Sequence, residues 1–124
     1  MAISLLLDNA DPATWLKWFK QGIFHGITTN PTLIKKAGQK CTLANLKYLA
    51  QEANSIGYKE IHIQAWGESV EQIVDYGIAI GSLSNSKIKV YVKVPITKMG
   101  VEAANILIKS DIPITFTACY EAKQ

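Results

Sequence analysis

Short apolar segments alternate with amphipathic helical patterns along the whole chain. Strands are predicted at about residues 3–7, 24–28, 60–65, 88–94 and 113–117. Helices are predicted at about residues 11–22, 43–56, 69–80 and 99–109, with a short helical turn at 31–37 and the opening of another helix at 120–124. Asp11 before Pro12, and Ser69 before Gln72, are typical helix starts, and Gly57 is a typical helix end.

This alternation predicts parallel β-α units joined by short connections. No linker or low-complexity segment interrupts it, so residues 1–124 are predicted to form a single domain. Such units fit two architectures: a doubly wound sheet, or part of a (β/α)8 barrel. The order of the strands within the sheet separates the two.

The two faces of the predicted strands differ in polarity, because side chains alternate along a strand. The apolar face, which suits packing against helices, carries Ile3, Leu5, Leu7, Ile61, Ile63, Val90, Val92, Val94, Ile114 and Phe116. The more polar face carries Ser4, Leu6, Asp8, Gly26, Thr28, Asn30, Glu60, His62, Gln64, Tyr91, Lys93, Thr115 and Thr117. Helices cover both faces of a doubly wound sheet, whereas a barrel can hold polar residues at its C-terminal mouth. The pattern therefore favours an α/β fold of the (β/α)8 TIM-barrel type, of which this chain supplies about the first five β-α units.

Lys93 stands near the end of an apolar predicted strand, where an amine is costly unless it has a partner or a chemical role. A lysine at a strand end commonly extends into solvent, so this position alone would indicate little. The other predicted strands also end in a polar residue on the same face: Asp8, Asn30, Gln64 and Thr117. In a barrel these side chains would converge on the mouth where active sites of this fold lie. An amine beside a carboxylate, two amides and a hydroxyl suits carbonyl chemistry on a polyhydroxylated substrate.

Composition narrows the class of protein further. The formal net charge is +3 and the basic residues form no tract, so neither nucleic acid nor a membrane is an expected partner. No apolar run is long enough to span a bilayer, and the N-terminus does not resemble a signal peptide. Cys41 and Cys119 lie far apart without metal-ligand spacing, which favours a reduced, cytoplasmic chain without a metal site and leaves one disulfide open.

Two further groups of side chains are predicted to be structural. His62 lies deeper on the polar face than Gln64 and is expected to be a satisfied core histidine. Trp15, Trp18 and Phe19 have helical spacing and are expected in the core or at an interface.

Three segments resemble motifs of the transaldolase family, in particular its short fructose-6-phosphate aldolase-like branch. Residues 7–10 look like the opening Leu-Asp-Thr-Ala/Ser motif of that family. Residues 26–34 match its Gly-Val-Thr-Thr-Asn-Pro-Ser-Leu-Ile signature, and residues 92–97, followed by Gly100, match the strand of its Schiff-base lysine. Residues 113–124 are similar to the next segment, so the resemblance covers the whole chain in the expected order.

The resemblance implies a class I enzyme of carbohydrate metabolism that acts on a sugar phosphate without a metal or organic cofactor. Lys93 would form the Schiff base with a ketose and Asp8 would be the acid/base at its C4 hydroxyl. Asn30, grouped with Thr28, would bind the substrate. Gln64 and Thr117 would orient a water that relays protons. Gln64 stands where transaldolases proper usually have glutamate, which favours simple aldol cleavage or addition over transfer of a dihydroxyacetone unit.

Chain length is the main departure from the family pattern. A closed barrel needs eight strands and typically about 250 residues, whereas this sequence of 124 residues contains five predicted strands. The later family segments, with a further catalytic tyrosine and the groups that hold the sugar phosphate, have no counterpart in it. Two expectations therefore stand side by side: an active enzyme that associates as a homo-oligomer, and a catalytically inactive, truncated half-barrel.

Overall fold

The computed structural model describes residues 5–117, which form parallel strands alternating with helices. In chain order the elements are β1 (Leu5–Asp8), α1 (Pro12–Phe19), β2 (Phe24–Thr28), α2 (Pro31–Lys36), α3 (Leu43–Ile56), β3 (Glu60–Gln64), α4 (Val70–Gly81), β4 (Lys89–Pro95), α5 (Lys98–Lys109) and β5 (Ile114–Thr117). The predicted elements are confirmed within a few residues. The predicted helix at 120–124 lies outside the described residues, as do Ile3, Ser4 and Cys119.

The first helix ends earlier than predicted. The backbone N–H groups of Gln21 and Gly22 donate to the carbonyls of Trp18 and Phe19, so the chain leaves the α-helix in a tight turn before Gly22. Gly22 itself has φ of 68°, a left-handed conformation that glycine adopts without strain.

Side-chain caps start the helices that follow the strands. Asp11, Asn30, Ser69 and Thr97 each accept a hydrogen bond from a backbone N–H in the first turn of the next helix. Each of these caps lies a few residues beyond the carboxyl end of a strand. The β-α connections are therefore short, and they lie at the end of the sheet where the candidate site residues were predicted.

The five strands form one parallel sheet in the order β1-β2-β3-β4-β5. A doubly wound sheet has a point at which the strand order reverses, and none occurs between β1 and β5. The sheet is therefore wound in one direction, as in the first part of a barrel. Within the described residues it is an open sheet with β1 and β5 at its edges, and its closure into a barrel stays a prediction.

The apolar face of the central strands forms the core. Ile27, Ile61, Ile63, Val90, Val92 and Val94 are almost completely buried. They belong to one cluster with buried side chains of α3, α4 and α5. Each fully buried aliphatic side chain of this kind contributes about 1.5–3 kcal/mol to folding. The core thus fixes the central strands and leaves their opposite face to other roles.

The edge strands depart from the predicted burial. Leu5 on β1 and Phe116 on β5 belong to the apolar face that was predicted to pack against helices, yet both are 44% exposed. The described helices that pack on the sheet contact its central strands most closely, so these edge residues have fewer neighbours.

Trp15 anchors α1 and confirms the prediction that this aromatic group is structural. Its side chain is fully buried, and its indole Nε1 donates to the Asn9 carbonyl at 2.9 Å. The Tyr58 hydroxyl donates to the Trp15 carbonyl at 2.7 Å. Trp18 and Phe19 stay partly exposed and pack edge-to-face against Phe24 and Tyr58 respectively. None of the described helices combines the length and the apolar character needed to cross a membrane.

Gly100 gives a test of how tightly α5 is joined to β4. A Cβ at this position would overlap the Pro95 carbonyl oxygen, which is backbone and cannot move aside freely. We expect Gly100→Ala to destabilise the chain by about 1–3 kcal/mol, although alanine is the better helix former. Urea unfolding measures the change. The control is Val101→Ala at the next, exposed position, and equal stabilities of the two variants would contradict the close approach.

Candidate active site

The amine of Lys93 lies on the polar face of the sheet and reaches from β4 to the end of β2. Its Nζ donates to the Thr28 hydroxyl at 3.1 Å and to the Thr29 carbonyl at 2.9 Å. Because β3 lies between β2 and β4, the side chain crosses over one strand to make these bonds. Lys93 does not extend into solvent; it is held on this face by groups at the carboxyl end of β2.

A second contact across an intervening strand indicates that the sheet curls towards its polar face. His62 on β3 and Thr115 on β5 meet at 2.9 Å between Nδ1 and Oγ1, although β4 separates their strands. Two strand spacings amount to about 9.6 Å in a flat sheet. Two short side chains bridge that separation when the strands curve towards each other, which makes the polar face concave.

The environment of Lys93 shifts its protonation equilibrium towards the neutral amine. Burial lowers the pKa of Lys93 below its ordinary value of 10.5, and the negative charge of Asp8 acts in the opposite direction. Desolvation is the larger effect because the side chain is half-buried between strands. A lysine of lowered pKa has a larger fraction of nucleophilic amine near neutral pH.

Strand register gives the backbone positions of the other predicted residues relative to Lys93. Gln64 on β3 is the direct neighbour of Lys93, and Asp8 on β1 is paired with Thr28 on β2. Thr117 is paired with Pro95, two residues beyond Lys93. Asp8 is exposed and close enough to Lys93 to affect its pKa, whereas Gln64 is half-buried. Their catalytic roles stay predictions.

Asn30 has a structural role at the start of α2. It is the N-cap of α2, and its Oδ1 accepts a hydrogen bond from the Leu33 backbone N–H at 2.9 Å. The side-chain oxygen of Asn30 thus serves the helix. Its assignment as a substrate ligand stays a prediction.

Thr29 belongs to the site although the sequence reasoning did not single it out. It is 1% exposed, and both its hydroxyl and its backbone N–H donate to the His62 carbonyl, at 3.0 and 2.9 Å. Its own carbonyl receives the Lys93 amine. The signal available in the sequence was a threonine between two predicted site residues.

His62 is the satisfied, buried histidine that was predicted. It is 6% exposed, and its two ring nitrogens contact the Thr115 hydroxyl and a Glu60 carboxylate oxygen. Tyr91 stacks on the ring with 4.5 Å between centroids. The alternation of side chains had placed these residues on the polar face, but not in one cluster. Among residues 5–117, no group of three or more His, Cys, Asp or Glu side chains is arranged to hold a metal ion.

Comparison with known proteins agrees with the motifs around Lys93. The family model described as Transaldolase/Fructose-6-phosphate aldolase matches residues 5–124. The chain belongs to this family. This confirms the resemblance that residues 7–10, 26–34 and 92–97 carry.

Similar proteins named "Probable transaldolase" match over 122 residues, or 98% of this chain. The protein of Dictyoglomus turgidum is 30% identical and that of Methanococcus maripaludis 28%, and the match covers 53% of each. The protein of Clostridium botulinum is 25% identical, with 52% of it covered. The chain therefore spans about half the length of the curated relatives it matches.

The charge of Asp8 yields a prediction for the amine. Asp8→Asn removes the negative charge that raises the pKa of Lys93, so this pKa should fall further. NMR titration of the lysine side-chain resonances measures it directly. Asp11→Asn is the matched control, because asparagine also caps helices and Asp11 does not act on the pKa of Lys93. An unchanged pKa in Asp8→Asn would show that this carboxylate does not act on the amine.

Burial of Lys93 also predicts a pH dependence of stability. The unfolded chain binds the lysine proton more tightly than the folded chain between the lowered pKa and the ordinary value of 10.5. The free energy of unfolding contributed by this group therefore increases as the pH rises through that window. Compared with Lys93→Met, the unaltered chain should gain stability between neutral pH and about pH 10.5. Urea unfolding of both proteins at several pH values measures the difference, and parallel curves would contradict it.

Proposed function

We propose that this chain carries the Schiff-base centre of a class I aldolase or transaldolase acting on ketose phosphates. The observation that supports this most directly is the Lys93 amine. It is half-buried on a concave polar face, held by Thr28 and Thr29, and its pKa is lowered by burial. Membership of the transaldolase/fructose-6-phosphate aldolase family supports a Schiff-base role for this amine.

The proposed reaction begins when the neutral amine of Lys93 attacks the ketose carbonyl. The resulting carbinolamine loses water and becomes a protonated imine, which withdraws electrons from the neighbouring carbon. Asp8 takes the proton of the C4 hydroxyl, the C3–C4 bond breaks, and an aldehyde leaves. The dihydroxyacetone unit stays on Lys93 as an enamine until a proton or an acceptor aldehyde adds to it.

The surrounding residues have proposed roles that fit their positions. Thr28 accepts a hydrogen bond from the resting amine, and its hydroxyl would bind the substrate instead once the amine has reacted. Asn30 would donate its amide N–H groups to substrate hydroxyls while its oxygen caps α2. Gln64, the strand neighbour of Lys93, and Thr117 would position a water for proton transfer.

An amide at position 64 favours aldol cleavage or addition over transfer between sugars. A glutamine can orient a water by hydrogen bonds but cannot carry a proton as a carboxylate does. Association of copies into a homo-oligomer, a cytoplasmic location and the absence of a nucleic-acid partner stay predictions from the sequence.

Reductive trapping tests the proposed centre. The chain is incubated with dihydroxyacetone or fructose 6-phosphate, treated with borohydride, and its intact mass is measured. We expect one adduct at Lys93, and we expect Lys93→Met to abolish it. Lys89→Met is the matched control, because Lys89 lies on the same strand and the same face but is exposed. Its adduct yield should equal that of the unaltered chain.

A folded chain without an adduct would contradict the proposal. Circular dichroism of the same samples separates this result from loss of structure. Such a result would favour the alternative, a half-barrel that keeps the residues of the family without its chemistry.

A further inference from the structure

A hydroxyl, an imidazole and a carboxylate form a continuous chain of contacts on the concave face beside Lys93. Thr115 Oγ1 lies 2.9 Å from His62 Nδ1, and His62 Nε2 lies 3.3 Å from Glu60 Oε1. We call these three residues the Thr115–His62–Glu60 triad. The proposed reaction of Lys93 uses none of them.

Hydrogen-bond chemistry indicates which groups donate and which accept in this triad. An ionised carboxylate only accepts hydrogen bonds. The neutral His62 ring therefore carries its proton on Nε2 and donates a hydrogen bond to Glu60. Nδ1 is then an acceptor, and the Thr115 hydroxyl donates to it. The oxygen of Thr115 is thereby polarised and keeps a lone pair for another donor. This is the logic by which a carboxylate-oriented histidine activates a hydroxyl in catalytic triads.

The hydroxyl end of this triad belongs to the strand next to Lys93. Thr115 and Lys93 are paired residues of adjacent strands, and their side chains share the concave face. His62 is joined to the amine by a second route, since its carbonyl accepts from Thr29, whose carbonyl accepts from Lys93. The Thr115 hydroxyl thus lies on the same face as Lys93 and in the neighbouring strand, and the charge of Lys93 acts on the pKa of the His62 ring that the hydroxyl contacts.

We propose that Thr115 is a further catalytic residue of the Lys93 centre, with His62 and Glu60 as the residues that position and activate it. Thr115 carries protons between the reacting nitrogen and oxygen on one side and His62 on the other. This inference rests on the proposed Schiff-base function and adds an acid–base group to it.

The proton balance of imine formation fits such a relay. The Lys93 ammonium gives one proton to the Thr115 oxygen, while the hydroxyl proton of Thr115 passes to His62 Nδ1. The amine lone pair then forms the C–N bond, the carbonyl π electrons move to oxygen, and His62 returns its proton to that oxygen through Thr115. A second transfer from nitrogen to oxygen by the same route releases water as the C–O bond breaks and the C=N bond forms. Two protons leave the nitrogen and end in the water, and His62 is neutral again.

The groups around His62 keep it ready to accept a proton. Burial lowers its pKa below the ordinary 6.5, the charge of Lys93 lowers it too, and Glu60 acts in the opposite direction. Tyr91 of β4 stacks on the ring, and Lys89 of the same strand lies over Tyr91. On β2, the ring of His25 is 3.9 Å from the other oxygen of Glu60. His62 is thus neutral at neutral pH, and protonation at lower pH would block the relay.

The test follows the rate of adduct formation at Lys93 with dihydroxyacetone and borohydride between about pH 5 and 8. We expect Thr115→Val, which removes the hydroxyl at nearly constant volume, to slow the reaction about 100-fold. His62→Phe, which keeps a ring against Tyr91, should slow it similarly and remove the loss of rate at acidic pH. The double variant should be no slower than either single one, because both residues serve one relay.

Two further variants distinguish proton transfer by these residues from a purely structural role. In Glu60→Gln the acidic inflection should move to lower pH, because the carboxylate no longer favours the imidazolium. Thr32→Val, an exposed threonine on α2, controls for the substitution itself and should react at the unaltered rate. Nitrogen NMR of the unaltered chain should show His62 protonated on Nε2.

The outcomes distinguish this inference from the function on which it rests. One outcome is an adduct that forms on the unaltered chain and also forms in Thr115→Val and His62→Phe with the same rate and pH dependence. That result overturns the relay and leaves the proposed Schiff base in place. A His62 ring protonated on Nδ1 overturns the relay as well. Absence of any adduct on the unaltered, folded chain overturns both. If Thr115→Val does not fold, Glu60→Gln and the tautomer of His62 decide the question.

Discussion

The site depends on one set of hydrogen bonds, those from the Lys93 ammonium to Thr28 and Thr29 across the intervening strand β3. Removing an amine from water is costly, and these two oxygens replace part of its hydration. They also fix where the amine lies, over β3 at the carboxyl end of β2. The remaining desolvation lowers the pKa of the amine and makes it a better nucleophile. Positioning and activation thus have the same physical origin.

The alternation of side chains along β4 lets one strand serve both the core and the site. Val90, Val92 and Val94 are completely buried, whereas Tyr91 and Lys93 point to the concave face. The apolar side chains hold the strand against α4 and α5. Because that packing fixes the backbone, the polar side chains between them keep a defined direction. The core and the candidate site are divided between the two faces of the same sheet.

The polar layer around His62 shows why a concave face can hold ionisable groups. Each ring nitrogen of His62 meets an oxygen, and Tyr91 covers the ring, so the histidine is buried without an unsatisfied nitrogen. The charges of Glu60 and Lys93 act on it in opposite directions. Such a layer couples the amine to groups deeper in the sheet, which an apolar interior could not do.

The sequence by itself determined the elements, the two faces of each strand and the lysine with its family motifs. These follow from patterns within a few residues: the alternation along a strand, the caps such as Asp11, and the segments 26–34 and 92–97. Only the tertiary structure decided that Lys93 meets Thr28 and Thr29, 65 and 64 residues away, and that His62 meets Thr115, 53 residues away. It also decided that Leu5 and Phe116 on the edge strands are exposed. The reason is physical: periodicity records which face a side chain points to, but its partners depend on strand order, register and curvature, which distant parts of the chain set together.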